Sequence, residues 1–147
     1  MSQVGLQPLG ESVGYLLKQA TTALHAAMEA ALRPVGLTVS QFSCLELLSR
    51  VPDQSNADLA RGAFVTPQSM NDVLRGLRDR GLVERSGSAP VGRALPTRLT
   101  SEGQEYVDRA RVVLAPVEQR LLSGINASSR QRLPADLRAI IRAFESE

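Results

Sequence analysis

The sequence predicts a mainly α-helical fold carrying one small β-hairpin. Three observations point there. Aromatic residues make up only 3% of the 147, namely Tyr15, Phe42, Phe64, Tyr106 and Phe144. Sandwiches and barrels lean on aromatic and β-branched side chains, so an all-β fold is a poor fit. Hydrophobic residues reach 43% and come largely from Leu and Ala, both good helix formers. That is enough for a core and argues against wholesale disorder. Finally, apolar residues recur at steps of three and four along most of the chain, and the pattern breaks only near residues 82–99. The length fits one domain, or one domain with appended helices.

The elements follow in order. Residues 1–10, with Gly5, Pro8 and Gly10, read as a loosely ordered arm. Ser12 to Arg33 reads as a helix whose apolar positions run from Val13 through Leu16, Ala20, Leu24 and Ala27 to Leu32, stopped by Pro34 and Gly36. Thr38 and Gln41 form a capping-box pair that opens the next helix, with Phe42, Leu45, Leu47 and Leu48 inward and Pro52 at its end. Ser55 and Asp58 repeat the device for a short helix through Ala63. Thr66-Pro67 opens another, an N-cap followed by proline at the first helical position, with Met70, Val73, Leu74 and Leu77 as its buried stripe and Gly81 as its stop.

Leu82 to Arg85 and Arg93 to Leu99 then read as two strands around a flexible turn, Ser86 to Gly92. Leu95, Thr97 and Leu99 share a face, and Pro96 implies that the second strand has a free edge. Thr100 and Ser101 cap a helix to about Leu122, which Pro116 should kink. A last helix runs from about Ala127 to Phe144. Its apolar positions are Leu133, Leu137, Ile140, Ile141 and Phe144, and Pro134 is expected to delay or bend its start.

Charge is unevenly placed. The net value is +2, and sixteen of the seventeen basic residues are arginine, Lys18 being the exception. A GC-rich genome explains an excess of arginine; its position is more informative. Between Arg75 and Arg98 lie six arginines against Asp79 and Glu84, so this segment carries +4 and the remainder −2. Such asymmetry suggests an anionic partner, with nucleic acid the leading candidate. The N-terminus has no secretory pattern, and no stretch approaches the ~20 apolar residues that span a bilayer, so the cytoplasm is expected. The single cysteine, Cys44, leaves no internal disulfide or multi-cysteine zinc site.

The centre of the chain therefore reads helix, short helix, turn, helix, basic hairpin. A helix with polar residues at its N-terminus presents donors and acceptors to base edges in the major groove of double-stranded DNA, and its dipole favours phosphate. Thr66, Gln68, Ser69 and Asn71 occupy that first turn. A cap needs one polar residue; four in one turn point to base or phosphate contact. Arg75, one turn on, reaches either phosphate or Asp72 or Asp79. Arg93 on the hairpin is the strongest single candidate, and Arg85 is a backbone candidate whose field Glu84 partly offsets. Arg78 and Arg80, near a helix C-terminus, are read as structural.

These residues resemble the MarR family of winged helix-turn-helix regulators. The matching pieces are Leu37-Thr38 with Gln41-Phe42, Asn56 to Ala60, Thr66 to Met70 leading into Leu74, Leu77 with Gly81 to Arg85, Arg93-Ala94, and Leu99-Thr100 with Gly103. The resemblance covers roughly residues 12 to 145. It departs at the hairpin: where members often carry Asp-Arg-Arg before the second strand, this chain has Val91, Gly92 and Arg93.

The resemblance implies three regions in one continuous domain. They are an N-terminal arm and dimerisation helix (1–36), a winged helix-turn-helix (37–100) and C-terminal dimerisation helices (101–147). It implies a homodimer, and two copies of one helix and wing would read a palindrome with half-sites roughly 34 Å apart. The expected function is a repressor relieved by a small-molecule effector, with Tyr15 and His25 as candidate effector contacts. The low aromatic content slightly disfavours an aromatic ligand. Two alternatives stay open: a winged-helix protein-interaction module, and a DNA-binding protein without effector. The family includes thiol-based oxidation sensors, but their cysteine usually lies in the first helix. Cys44 instead shares a helix with Phe42, Leu45 and Leu48 and reads as a core thiol. No catalytic arrangement, cofactor motif or metal cluster appears; His25 is the only histidine and no phosphate-cradling glycine loop is present, so an enzyme is not expected.

Overall fold

The computed structural model describes residues 8–87 and 95–145. After a single 3₁₀ turn at Leu9–Glu11 come α1 (Val13–Leu32), α2 (Val39–Arg50), α3 (Asn56–Ala63) and α4 (Pro67–Asp79). Then follow β1 (Val83–Arg85), β2 (Thr97–Leu99), α5 (Ser101–Leu122) and α6 (Ala127–Glu145). The strands pair antiparallel, with Val83 opposite Leu99, Glu84 opposite Arg98 and Arg85 opposite Thr97.

Local chemistry sets the helix ends. Both capping boxes form, each with its two reciprocal bonds, Thr38 with Gln41 and Ser55 with Asp58. Thr66 accepts from the Ser69 N–H at 3.1 Å, and Pro67 follows it. Gly36 and Gly81 close α1 and α4 at φ +80° and +74°, where a Cβ would be strained.

The core lies where α2, α3 and α4 meet the start of the hairpin and the middle of α5. Leu45, Leu48, Leu59, Met70, Leu74, Leu77, Leu82 and Val107 are all but fully buried there. Each such side chain contributes roughly 1.5–3 kcal/mol. α1 packs along α5, and its Leu32 enters the same core. Thr100 ties the hairpin to α5. Its hydroxyl accepts from the Gly103 N–H, the same hydroxyl donates to the Gly81 carbonyl at 2.7 Å, and its N–H donates to the Leu82 carbonyl.

Several expectations change. The second strand does not have a free edge. The Thr97 N–H donates to the Gln54 carbonyl at 2.9 Å and the Gln54 N–H returns to Thr97 at 3.2 Å, so Gln54, two residues before α3, covers that side at Thr97. Pro96 needs no donor because it precedes the strand, and its carbonyl accepts from the Ser86 N–H at 2.7 Å. Ser86 is not part of a loose turn: it is 8% exposed and its hydroxyl bonds to Asp53. The second strand starts at Thr97, leaving Leu95 outside it and partly exposed. Pro134 neither delays nor displaces the last helix. That helix begins at Ala127, where Asn126 Oδ1 accepts from the Ser129 N–H, and Pro134 falls well inside it. α5 spans Ser101–Leu122 with Pro116 inside it.

α6 has no buried residue in this chain, and Leu137, Ile140, Ile141 and Phe144 remain exposed along it. The first half of α1 is also open, with Val13, Tyr15, Leu16 and Leu17 exposed. Among the described residues no helix is long and apolar enough to cross a membrane.

Candidate nucleic-acid interface

α4 has two faces. Met70, Leu74 and Leu77 are at 0% exposure and clamp it onto the core, with Val73 half-buried beside them. The opposite face carries Gln68, Asn71, Asp72 and Arg75, spaced three and four apart and all exposed. The fold thus holds one face of the helix rigidly and presents a polar row on the other.

The four polar residues of the first turn do not act alike. Thr66 is the cap, and its hydroxyl also donates to Ser69 Oγ at 3.0 Å. Gln68 projects at the following position and is exposed. Asn71 Oδ1 accepts from Asn56 Nδ2, which reaches across from the start of α3. That bond orients the Asn71 amide. Sequence reasoning did not single out Asn56 as a site residue; its partner lies on another helix, and no local pattern signals the pair.

The arginines divide. Arg75 Nη1 lies 3.4 Å from Asp72, both ends largely exposed, a weak pair that an incoming phosphate can replace. On the hairpin, strand alternation separates Glu84 from Arg85. Glu84 pairs across the ladder with Arg98 at 3.0 Å, so it neutralises Arg98 rather than Arg85. Arg85 is exposed and forms no ion pair among the described residues. Arg93, together with Val91 and Gly92, lies outside the described residues. Arg80 is structural: Nη1 donates to the Gly36 carbonyl at 2.9 Å and the guanidinium lies 5.2 Å from the Tyr106 ring centre. Arg109 lies over the same ring at 4.2 Å. Hydrogen bonding from Arg80, then Arg109, lowers the Tyr106 phenol below its ordinary value.

A second feature lies away from this face. A cleft of about 390 Å³ opens between α1, α2 and α5, lined by Leu24, Met28, Phe42 and Leu114 with charged groups at its rim. Glu46 sits there, gripped by Arg111 through Nε at 3.1 Å and Nη2 at 2.8 Å, and by Arg50 at 2.7 Å. The Arg111 bonds, more than burial opposes, hold the Glu46 carboxyl below its usual value. Neither Tyr15 nor His25 lines this cleft. Tyr15 borders a shallow surface with Lys18, Gln19 and Thr22 on α1, and His25 is exposed, 3.7 Å from Glu29. Cys44 is fully buried, and burial pushes its thiol up to about 12, as a core thiol requires.

The geometry has matches among known proteins. The family model described as MarR family matches residues 35–94. The HTH-type transcriptional repressor Rv2887 of Mycobacterium tuberculosis is 44% identical over 119 residues, covering 81% of this chain and 86% of that protein. The crystal structure of that protein with salicylic acid superposes with a TM-score of 0.74 at 41% identity, over 88% of this chain and 96% of that one. Its complex with DNA superposes at 0.72 and 39%, over 88% and 97%.

Proposed function

The chain belongs to the MarR family, and from that premise we propose that it is a homodimeric transcriptional repressor that binds a palindromic operator and is released by a small-molecule effector. The observation that carries this reading is α4: a helix clamped on one side by Met70, Leu74 and Leu77 whose other side offers an exposed polar row. Gln68 and Asn71 are the base-reading candidates, Thr66 and Ser69 set and cap the first turn beside phosphate, and Arg75, Arg85 and Arg93 supply backbone charge. The solved complex of Rv2887 with DNA supports DNA binding as the role of this fold here.

The open faces of α1 and α6 favour the homodimer. A 19-residue helix with no buried residue is marginal in water by itself, and an exposed apolar row is the usual mark of an interface. On this reading residues 1–36 and 101–147 build the dimer and residues 37–100 read DNA.

The effector class follows from the cleft between α1, α2 and α5. Leu24, Met28, Phe42 and Leu114 offer an apolar wall, and the rim carries Arg50 and Arg111 paired to Glu46, with Glu118 beside them, so a small aromatic carboxylate would bind there by taking over the place of Glu46 on Arg111. Rv2887 with salicylic acid supports that class. The cleft joins the dimer helices to the DNA lobe, so a ligand there acts through differential affinity for two spacings of the α4 helices. Tyr15 and His25, both exposed and outside this cleft, stay on the proposal as weaker contacts. The protein works in the cytoplasm by binding rather than by chemistry.

Selection from random DNA tests the reading. It should return a two-fold symmetric site with half-sites roughly 34 Å apart, bound with a steep fall in affinity as salt rises. Within that site, Gln68→Ala should alter preference at one position of each half-site, whereas Arg85→Ala should weaken all sequences and reduce the salt slope by about 2, one phosphate contact per subunit. Recovery of no preferred sequence, or salt-insensitive capture, would favour a protein-interaction module instead.

A further inference from the structure

Phe64 is the least economical residue in the fold. It closes α3 at φ +60° and ψ +40°, a left-handed conformation that a bulky side chain rarely adopts. Its N–H donates to the Arg61 carbonyl at 3.3 Å, and the Val65 N–H donates to the Ala60 carbonyl at 3.0 Å. These two bonds are the usual closure of a helix on a left-handed residue, and glycine is the usual occupant. The chain follows that rule at the ends of α1 and α4, with Gly36 and Gly81. At the end of α3 it places a phenyl ring, and the ring is 94% exposed. Val65 turns inward and packs on the core, while Phe64 turns outward and packs on nothing described. A lone exposed apolar residue is ordinary. One that also occupies a strained backbone position, where glycine would serve the fold better, calls for a partner outside the chain.

Its place identifies that partner. Only Val65 separates Phe64 from Thr66, the cap of α4. Two residues of backbone span at most about 7 Å. The Phe64 backbone therefore lies beside the first turn of α4, which carries Gln68 and Ser69, and its exposed ring stands within reach of a groove that receives that turn. A phenyl ring cannot pair with phosphate or hydrogen-bond a base edge. Its match in the major groove is the C5-methyl of thymine. Resting on the DNA-binding reading above, we propose that Phe64 is a specificity-determining residue that packs on a thymine methyl group, once in each half-site.

The experiment uses the full-length protein and the site recovered by selection. Each thymine is replaced in turn by uracil, which deletes the methyl and keeps base pairing. The wild type should bind about fourfold more weakly at one thymine per half-site, the worth of one buried methyl. Phe64→Gly should bind the unmodified site more weakly and be indifferent to uracil at that same position. Phe64→Leu should recover part of the thymine preference. Because glycine suits the left-handed position, Phe64→Gly should melt no lower than the wild type, which separates lost contact from lost fold. Phe64→Asn, also tolerant of that conformation, gives a second variant with the same expected loss. The proposal is overturned if Phe64→Gly binds the unmodified site as tightly as the wild type, or if its uracil response is undiminished. A wild type that selects a site but ignores every thymine methyl overturns this proposal alone. A wild type that selects no site overturns the DNA-binding reading with it.

Discussion

Cys44 and Glu46 stand two residues apart on α2, and direction alone separates their chemistry. Cys44 faces the core, and its thiol, pushed up to about 12 by burial, is almost wholly protonated at neutral pH. A thiol reagent at pH 8 should leave the native protein unlabelled and label it only as denaturant unfolds it; labelling at the rate of a free cysteine would return the thiol to contention as a sensor. Glu46 faces the cleft and is 17% exposed at its side chain. Its carboxyl is depressed, first by hydrogen bonding from Arg111, so the native state favours the charged form. The sign follows by linkage: the stabilisation is fully present above 4.5, the ordinary value, and is lost as pH falls through the depressed native value. The stability gap between wild type and Glu46→Gln, measured by urea midpoints, should therefore be constant at neutral pH and close in acid. A gap that widened in acid would contradict the pairing.

Elements meet most tightly where the hairpin touches α5. Gly103 lies in the first turn of α5, and a Cβ there would stand 2.1 Å from the Leu82 carbonyl oxygen and 2.7 Å from Leu99 Cδ1. The first obstacle is backbone and cannot swing aside. Gly103→Ala should cost about 2 kcal/mol or more, seen as a lower urea midpoint with an unchanged slope. An alanine variant as stable as the wild type would mean that the seam is looser than drawn. The same seam orders the hairpin base: Thr100 bonds to Gly81, Leu82 and Gly103, and Ser86 is held by Asp53. Arg85 is thereby carried on an anchored strand, its neighbour Glu84 already occupied by Arg98. α4, the proposed reading helix, and β1, which carries Arg85, are fixed to one another through Leu77 and Leu82 in the common core.

At the scale of the whole molecule, one chain is incomplete. The lobe of α2, α3 and α4 has a closed core, while α1 and α6 turn apolar side chains to solvent. Placing a carboxylate on that row, as in Ile141→Asp, should shift the sedimenting species from dimer to monomer. Affinity for a two-half-site operator should fall by one to two orders of magnitude, because the second contact is no longer tethered to the first. Affinity for a single half-site should be unchanged. A variant that stays dimeric and binds normally would move the interface elsewhere.

What the sequence determined by itself is local. The boxes Thr38 with Gln41 and Ser55 with Asp58, the Thr66-Pro67 start and the Gly36 and Gly81 stops each need only residues within one turn. Their signals survive without knowledge of the fold. The stripe of Met70, Leu74 and Leu77 was legible for the same reason, since a 3.6-residue period assigns a face before any partner is known. The family pattern then joined these pieces in order. The pairings between distant segments were decided only by tertiary structure. Gln54 closes the edge of β2, Asn56 orients Asn71, and Arg111 grips Glu46 from 65 residues away. Phe64 belongs with them: its exposure and left-handed backbone are facts of how α3 turns into α4. Such contacts leave no periodic trace, because each depends on which elements the core brings together rather than on spacing along the chain.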